Sequence, residues 1–321
     1  MSQLQQIDVH VSAIRQLTPR IKQFHLRAHD GTILPACSAG SHIIVSAPDN
    51  AVALHHAYTI TNPAATPIEY RIAVQREELS RGGSHYLHDV VTVGQCLRIT
   101  PPKNLFPLQA IAAPVVLIAA GIGITPIYAF VQQLNASGES FIVHYSYRGN
   151  ENAAFRAELR SMCSRDNLHL YDSRSEHKLN VDAVIDGLPS NAQVYVCGPN
   201  RMIDAVQAAM QQRGFSAAQF HCERFVIADQ VSQGFTVIMA KSGQQVVVPP
   251  EQSILQALQQ AGRRDLASLC CDGVCGTCEL PLLEGEAEHR DQYLTDSEKV
   301  AQKAILICVS RAKSARLVLD I

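Results

Sequence analysis

Four cysteines near the end of the chain constrain it most: Cys270, Cys275 and Cys278 form a C-x4-C-x2-C run, and Cys308 follows at a distance. That spacing is the ligand pattern of plant-type [2Fe–2S] proteins, in which four thiolates hold two irons. A loop of this kind must wrap closely enough to turn backbone N–H groups toward sulfur, and Gly273 and Gly276 give it the freedom to do so. Structural zinc sites usually pair two short cysteine knuckles, whereas Cys308 stands alone, so zinc is the weaker reading. Cys271 is a fifth cysteine in the loop and reads as a small, partly buried thiol. Cys37, Cys96, Cys163, Cys197 and Cys222 are scattered. The start, MSQLQQIDVHV, has neither a basic segment nor an apolar core of signal-peptide length, so a cytoplasmic protein is expected. In that reducing compartment ten cysteines do not build a disulfide framework.

The chain has 321 residues, too many for one ordinary core at about 100–200 residues per domain. Its grammar changes twice. Short alternating segments at 7–12, 23–27, 42–46, 57–61 and 70–74, a helix at 85–90 and a strand at 97–100 predict a small antiparallel barrel. From Pro114 onward apolar runs alternate with helical patterns (115–119 then 124–135, 141–145 then 153–163, 194–197 then 201–213), which predicts a parallel sheet with crossover helices. A polar stretch at 228–234 reads as a linker. Beyond it a hairpin at 235–239 and 245–248, a helix at 253–261, and strands near 279–283, 305–309 and 317–321 predict an α+β domain, with Thr295 and Glu298 as a capping box. The division is 1–109, 110–228 and 229–321. The apolar stretch 112–131 has the length of a membrane span, but Pro114, Gly121, Gly123, Thr125 and Pro126 suit a buried strand entering a glycine turn, so no membrane partner is expected. A formal charge of −2 with 17% charged residues lacks the basic excess of nucleic-acid binders.

Several motifs are unremarkable alone. His56-Ala57-Tyr58-Thr59 reads as a strand fragment, and Gly82-Gly83-Ser84, preceded by Arg76 and Arg81, as a turn opening a helix, where N–H groups and a hydroxyl can receive an anion. Ala119-Ala120-Gly121-Ile122-Gly123-Ile124-Thr125-Pro126 follows a buried strand and opens a helix, a place where a glycine turn admits a pyrophosphate. It is not the G-x-G-x-x-G fingerprint, because Pro126 stands where the third glycine would be. Cys197-Gly198-Pro199 ends a later strand, and His221-Cys222-Glu223-Arg224-Phe225 closes the second domain.

Taken together with Pro102–Pro107 and Gly285–Tyr293, these motifs and the cysteine pattern make the chain resemble the phthalate dioxygenase reductase family over essentially its whole length, and most nearly the reductases of carnitine monooxygenase and vanillate demethylase. The resemblance implies an FMN-binding barrel, an NAD-binding α/β domain and a C-terminal ferredoxin domain of the β-grasp type. It implies that Tyr58 lies against the flavin ring and that the Thr59 hydroxyl reaches N5. His56 stands where the family has a phosphate-facing arginine, which weakens phosphate pairing near neutral pH. It further implies that Ala57, Ala73, Val74 and Gln75 line the flavin, that Gly82, Gly83 and Ser84 receive its phosphate, and that Gly121, Gly123, Thr125, Arg148, Gly198 and Pro199 hold the nucleotide. Cys197 would sit near the nicotinamide, with Glu223 and Phe225 flanking the flavin.

The expected activity follows from the carriers: nicotinamide gives a hydride, a plant-type cluster takes one electron at a time, and a flavin converts between them. The chain therefore reads as the NADH-dependent, monomeric reductase of a Rieske-type oxygenase. NADH is preferred because Asp172 suits a free ribose 2′-hydroxyl, although Arg148 and Arg174 lie near. A stand-alone flavin reductase would leave the cluster idle. A simple iron–sulfur carrier would leave more than two hundred residues unexplained, and a redox sensor would need an effector segment. Around the cluster loop nine acids (Asp265, Asp272, Glu279, Glu284, Glu286, Glu288, Asp291, Asp296, Glu298) face one base, Arg290, an imbalance expected to steer a basic acceptor.

Overall fold

A computed structural model describes residues 6–47, 55–78, 82–109, 113–225 and 233–321. Arg81 and most of the expected linker at 228–234 lie outside them. Contacts divide the chain into two units, Met1–Leu54 with Tyr58–Phe225, and His55–Ala57 with Val226–Ile321.

The first sheet contains β1 (Ile7–Thr18), β2 (Ile21–Ala28), β3 (Ser41–Ser46), β4 (His55–Thr59), β5 (Tyr70–Gln75), β6 (Cys96–Ile99) and the short β7 (Lys103–Asn104), with α1 (Gly83–Asp89) between β5 and β6. Its order is β4-β3-β6-β1-β2-β5, and an antiparallel bridge from Ile60 to Ile72 joins the two ends into a barrel. Alternation explains the closure: Val9, Val11, Phe24, Leu26, Ile43, Val45, Ile72 and Val74 all point into one core.

The second sheet is wholly parallel, as the strand–helix alternation requires: β8 (Val115–Ala120), β9 (Phe141–Tyr147), β10 (Leu168–Asp172), β11 (Gln193–Cys197) and β12 (Phe220–Glu223) stand in the order β10-β9-β8-β11-β12. Helices α2 (Ile124–Ser137) and α3 (Arg156–Met162) cover one face, and α4 (Val181–Asp186) and α5 (Asn200–Gln212) the other. The apolar stretch of span length resolves into β8 and the start of α2, and no helix among the described residues is long and apolar enough to cross a membrane. Barrel and parallel sheet pack as one unit. Phe106 inserts against Phe130 (ring centroids 5.1 Å apart) and Tyr195 (5.8 Å), while Gln132 on α2 donates to the Thr61 carbonyl across 2.6 Å.

The second unit is built on β13 (Phe235–Met239), β14 (Gln245–Val248), β15 (Glu279–Glu284), β17 (Ala304–Leu306) and β19 (Arg316–Leu319) in the order β14-β13-β19-β15-β17, with β13 and β19 parallel. A pair of short strands, β16 (Ala287–Glu288) and β18 (Arg311–Ala312), stands apart. Helix α6 (Ile254–Gln260) buries Ile254, Leu255 and Leu258 on that sheet, which makes the β-grasp arrangement. The expected capping box is present on α7 (Asp296–Ala301): Thr295 Oγ1 accepts from the Glu298 N–H, and Glu298 accepts from the Thr295 N–H.

Candidate functional site

In the cluster loop Cys270, Cys278 and Cys308 are buried and Cys275 is half-buried. The Cys270 thiol donates to Cys275 Sγ across 3.2 Å, and Cys278 and Cys308 are hydrogen-bonded to each other. Those hydrogen bonds hold the Cys275 and Cys278 thiols below their ordinary range. The sulfurs thus stand as two pairs. Two pairs fit two irons better than one zinc. Backbone N–H groups of Asp272 (3.3 Å to Cys270 Sγ) and Thr277 (3.4 Å to Cys275 Sγ) already point at sulfur. At Gly276 (φ +83°) a Cβ would fall 2.2 Å from the Tyr293 ring, so only glycine lets the loop lie under that tyrosine. Cys271 also takes a left-handed backbone, at φ +53°, and belongs to neither pair.

The nucleotide elements converge in the first unit. β8 ends in the short turn Gly121–Gly123, which runs straight into α2. A Cβ on Gly123 would lie 2.3 Å from the Cys197 carbonyl oxygen, so the turn touches the end of β11 directly. Gly198 is packed as closely, against Met202 and Ala120, and Pro199 caps α5. The Thr125 hydroxyl donates to the Ile122 carbonyl, so it shapes the turn. The same turn meets β5, which carries Ala73, Val74 and Gln75, so the barrel strand, the glycine turn and Cys197 form one continuous site. Arg148 is exposed just past β9.

Of the remaining expected residues, Thr59 is buried at the end of β4, while His56, Ala57 and Tyr58 are half-buried along it, Tyr58 against the barrel core. Gly82 (φ +108°) and Gly83 open α1, and Ser84 Oγ accepts from the Glu77 N–H. Arg76 is turned away to Asp89, with Nη2 and Oδ2 2.8 Å apart. Phe225 leaves 41% of its surface exposed, an aromatic face suited to stacking on a planar ring.

Cys197 and Glu223 lie side by side in register. Burial pushes the Cys197 thiol well up, so it is a neutral thiol. Burial alone also pushes the Glu223 carboxyl up to about 8, and its Oε2 has no hydrogen-bond partner. Between its ordinary value near 4.5 and about 8 the folded state holds a proton that the unfolded chain lacks. Stability contributed by this group is therefore complete at low pH and declines as pH rises through that window, by up to about 1.4 kcal/mol per unit. Glu223→Gln is expected to remove that decline in denaturant titrations at pH 5.5 and 8, and an unaltered slope would acquit Glu223.

Folding balances part of the acidic excess around the cluster. Arg263 pairs with Asp265, Lys313 with Glu286 and Arg290 with Glu288. Arg316 lies 3.8 Å from Glu284. Asp291 is no surface acid: it is buried, and accepts from the Tyr293 and Leu294 N–H groups and the Ser310 hydroxyl. Counting along the chain missed it, although Asp two residues before an apolar pair is a known turn-forming signal.

A closed barrel packed on a nucleotide-binding parallel sheet, with a four-cysteine β-grasp module in the same chain, defines an iron–sulfur reductase fed by a nicotinamide nucleotide. Comparison with known proteins gives the particular group. Residues 237–313 match the 2Fe-2S iron-sulfur cluster binding domain family, and residues 96–220 the N-terminal domain family of dimethylamine monooxygenase subunit DmmA-like proteins. The chain is 41% identical to the carnitine monooxygenase reductase subunit of Escherichia coli (strain K12), covering 100% of both chains. It is 35% identical to the vanillate O-demethylase oxidoreductase of Pseudomonas sp. (strain HR199 / DSM 7063), over 98% of this chain and 100% of that one. The solved structure of phthalate dioxygenase reductase, described as modular for electron transfer from pyridine nucleotides to [2Fe–2S], superimposes with a TM-score of 0.74 at 33% identity over 98% of each chain. An intact type IV self-sufficient cytochrome P450 monooxygenase is similar over 98% of this chain (TM-score 0.80, 33% identity), which spans 41% of that longer chain. The chain belongs to the phthalate dioxygenase reductase family, the reductase components of oxygenase systems. FMN, NADH and a [2Fe–2S] cluster are the cofactors that go with it.

Proposed function

We propose that this reductase serves a Rieske-type terminal oxygenase, as a cytoplasmic monomer with modules at 1–109, 110–228 and 229–321. The observation that carries the reading is the pairing of Cys270 with Cys275 and Cys278 with Cys308 in a chain whose glycine turn, Cys197 and β5 meet at one place. Bound FMN supplies the conversion between a two-electron hydride and single electrons for the cluster.

The chain's own residues position and exclude. Gly121, Gly123, Thr125, Arg148, Gly198 and Pro199 hold the nucleotide, and the bare α-carbons let backbone approach it. Cys197 and Glu223 form a buried, uncharged floor there, and Phe225 covers the ring system. Tyr58 and Thr59 face the flavin with Ala57, Ala73, Val74 and Gln75, and Gly82, Gly83 and Ser84 receive its phosphate. Arg76 is held by Asp89 and the His56 imidazole by Asp272, whose Oδ2 lies 3.2 Å from Nδ1, so a five-donor guanidinium at 56 could keep that carboxylate and still reach the phosphate. His56→Arg is accordingly expected to tighten FMN binding severalfold in a fluorescence titration, and an unchanged Kd would remove His56 from the site. A haem-containing acceptor is a second reading, favoured by the likeness to a self-sufficient cytochrome P450 monooxygenase. Reconstituted NADH-driven turnover with each class of oxygenase decides between them: reduction of a Rieske oxygenase supports the proposal, and reduction of a haem protein alone overturns it.

A further inference from the structure

Strands β9 and β10 end side by side, Tyr147 opposite Asp172, on the edge of the parallel sheet where such folds receive the ribose of a dinucleotide. Asp172 Oδ1 accepts the Gly149 N–H (2.8 Å) and the Arg174 N–H (3.0 Å), which fixes the carboxylate between the two loops. The Arg174 side chain then folds back across Gly149. A Cβ there would lie 1.8 Å from Arg174 Nη2, so the guanidinium occupies the space that any other residue would fill. Glu151 completes the arrangement, accepting from Nη2 at 2.9 Å, while Nε stays 3.8 Å from Asp172.

We propose that Glu151 is a specificity-determining residue: by pinning Arg174 across Gly149 it withholds a guanidinium that could fork onto a ribose 2′-phosphate, and leaves Asp172 to accept a free 2′-hydroxyl. The inference rests on the reading that this sheet edge holds the nicotinamide nucleotide, and adds which residue sets the preference for NADH. Two carboxylates share one guanidinium, so the local balance is −1. An incoming phosphate carries nearly two further negative charges and meets a fork already engaged. Each partner is about half exposed, so the pair contributes little to folding. Its effect is on local charge and on where the fork points. Removing the Glu151 charge brings the balance to zero and frees the fork, whereas Asp172 stays fixed by backbone.

The test uses the FMN- and cluster-loaded protein and follows flavin bleaching by NADH and NADPH, together with calorimetric binding of 2′,5′-ADP and AMP. Glu151→Gln is expected to raise the NADPH-to-NADH ratio of kcat/KM by about tenfold, the size of one charge-assisted contact regained. It should tighten 2′,5′-ADP relative to AMP by a similar factor. Arg174→Ala added to Glu151→Gln should cancel both gains. An unchanged ratio in Glu151→Gln, or a gain that persists without Arg174, overturns the proposal. If neither nucleotide bleaches the flavin of the unmodified protein, the underlying assignment of the nucleotide site fails, and the inference falls with it.

Discussion

Replacing Cys308 by Ser is expected to abolish the visible absorption of the [2Fe–2S] cluster while NADH still bleaches the flavin. Cys308 is buried directly beyond β17, behind Ile305, Leu306 and Ile307, and is paired with Cys278, so its loss leaves one iron with a single thiolate from the protein. A serine oxygen is a harder ligand on a shorter arm, and a rigid, buried backbone cannot move to compensate. Iron analysis should fall from about two atoms per chain toward zero, given the dinuclear stoichiometry of plant-type sites. Cys271→Ser, one residue from the Cys270 ligand position but in neither pair, should retain the spectrum. A normal spectrum in Cys308→Ser would sink the ligand assignment, and zinc at one equivalent in the unmodified protein would revive the mononuclear alternative.

The sequence and the structure agree most where one local rule decides the outcome. The cysteine spacing, the capping box at Thr295 and Glu298, and the alternation of β8 with α2 and of β11 with α5 depend on neighbours within a few turns of chain, and each is found where expected. Strand β10 was not expected. His-Leu-Tyr-Asp has no apolar run, because it is an edge strand whose five residues are all half-buried. Strand β12 hid inside a motif read for its chemistry, and α4 is only six residues long.

Charge was the least legible property. Three of the nine acids between 265 and 298 find their cations at Arg263, Lys313 and Arg316, all outside that window, and β-sheet pairing is what brings the last two beside them. The same limit applies to Arg174, whose partner Glu151 is twenty-three residues earlier and is found only by following β9 and β10 to their common end. For acceptor steering the consequence is concrete. With Glu286 and Glu288 already balanced by Lys313 and Arg290, reversing those two charges changes the local field less than the bare count suggests.

Gly123→Ala is expected to cost at least about a hundredfold in kcat/KM for NADH, the scale associated with moving a binding group by about 1 Å. The argument concerns contact and not conformation, because Gly123 has φ −62°, which alanine adopts freely. Its new Cβ would stand 2.3 Å from the Cys197 oxygen, 2.5 Å from the Cys197 carbonyl carbon and 2.7 Å from the Gly198 nitrogen, all backbone atoms with no rotamer to offer. Either the end of β11 or the start of α2 must move. Helix α2 is anchored by Ile124, Ile127, Phe130, Val131 and Leu134 in the main core, so retreat also costs about 1–3 kcal/mol of packing. Gly121→Ala supplies the contrast. Nothing lies within 4 Å of its Cβ, and only the left-handed backbone at φ +56° is penalised, about 1 kcal/mol. The two variants separate shape from strain: Gly123→Ala should lose NADH reduction with a shifted unfolding midpoint, and Gly121→Ala should lose far less. In both, the C-terminal cluster should keep its spectrum and accept electrons from a chemical reductant, since its core is built from other residues. An unchanged kcat/KM in a Gly123→Ala protein that folds would show that close approach of this turn to β11 plays no part in holding the nucleotide.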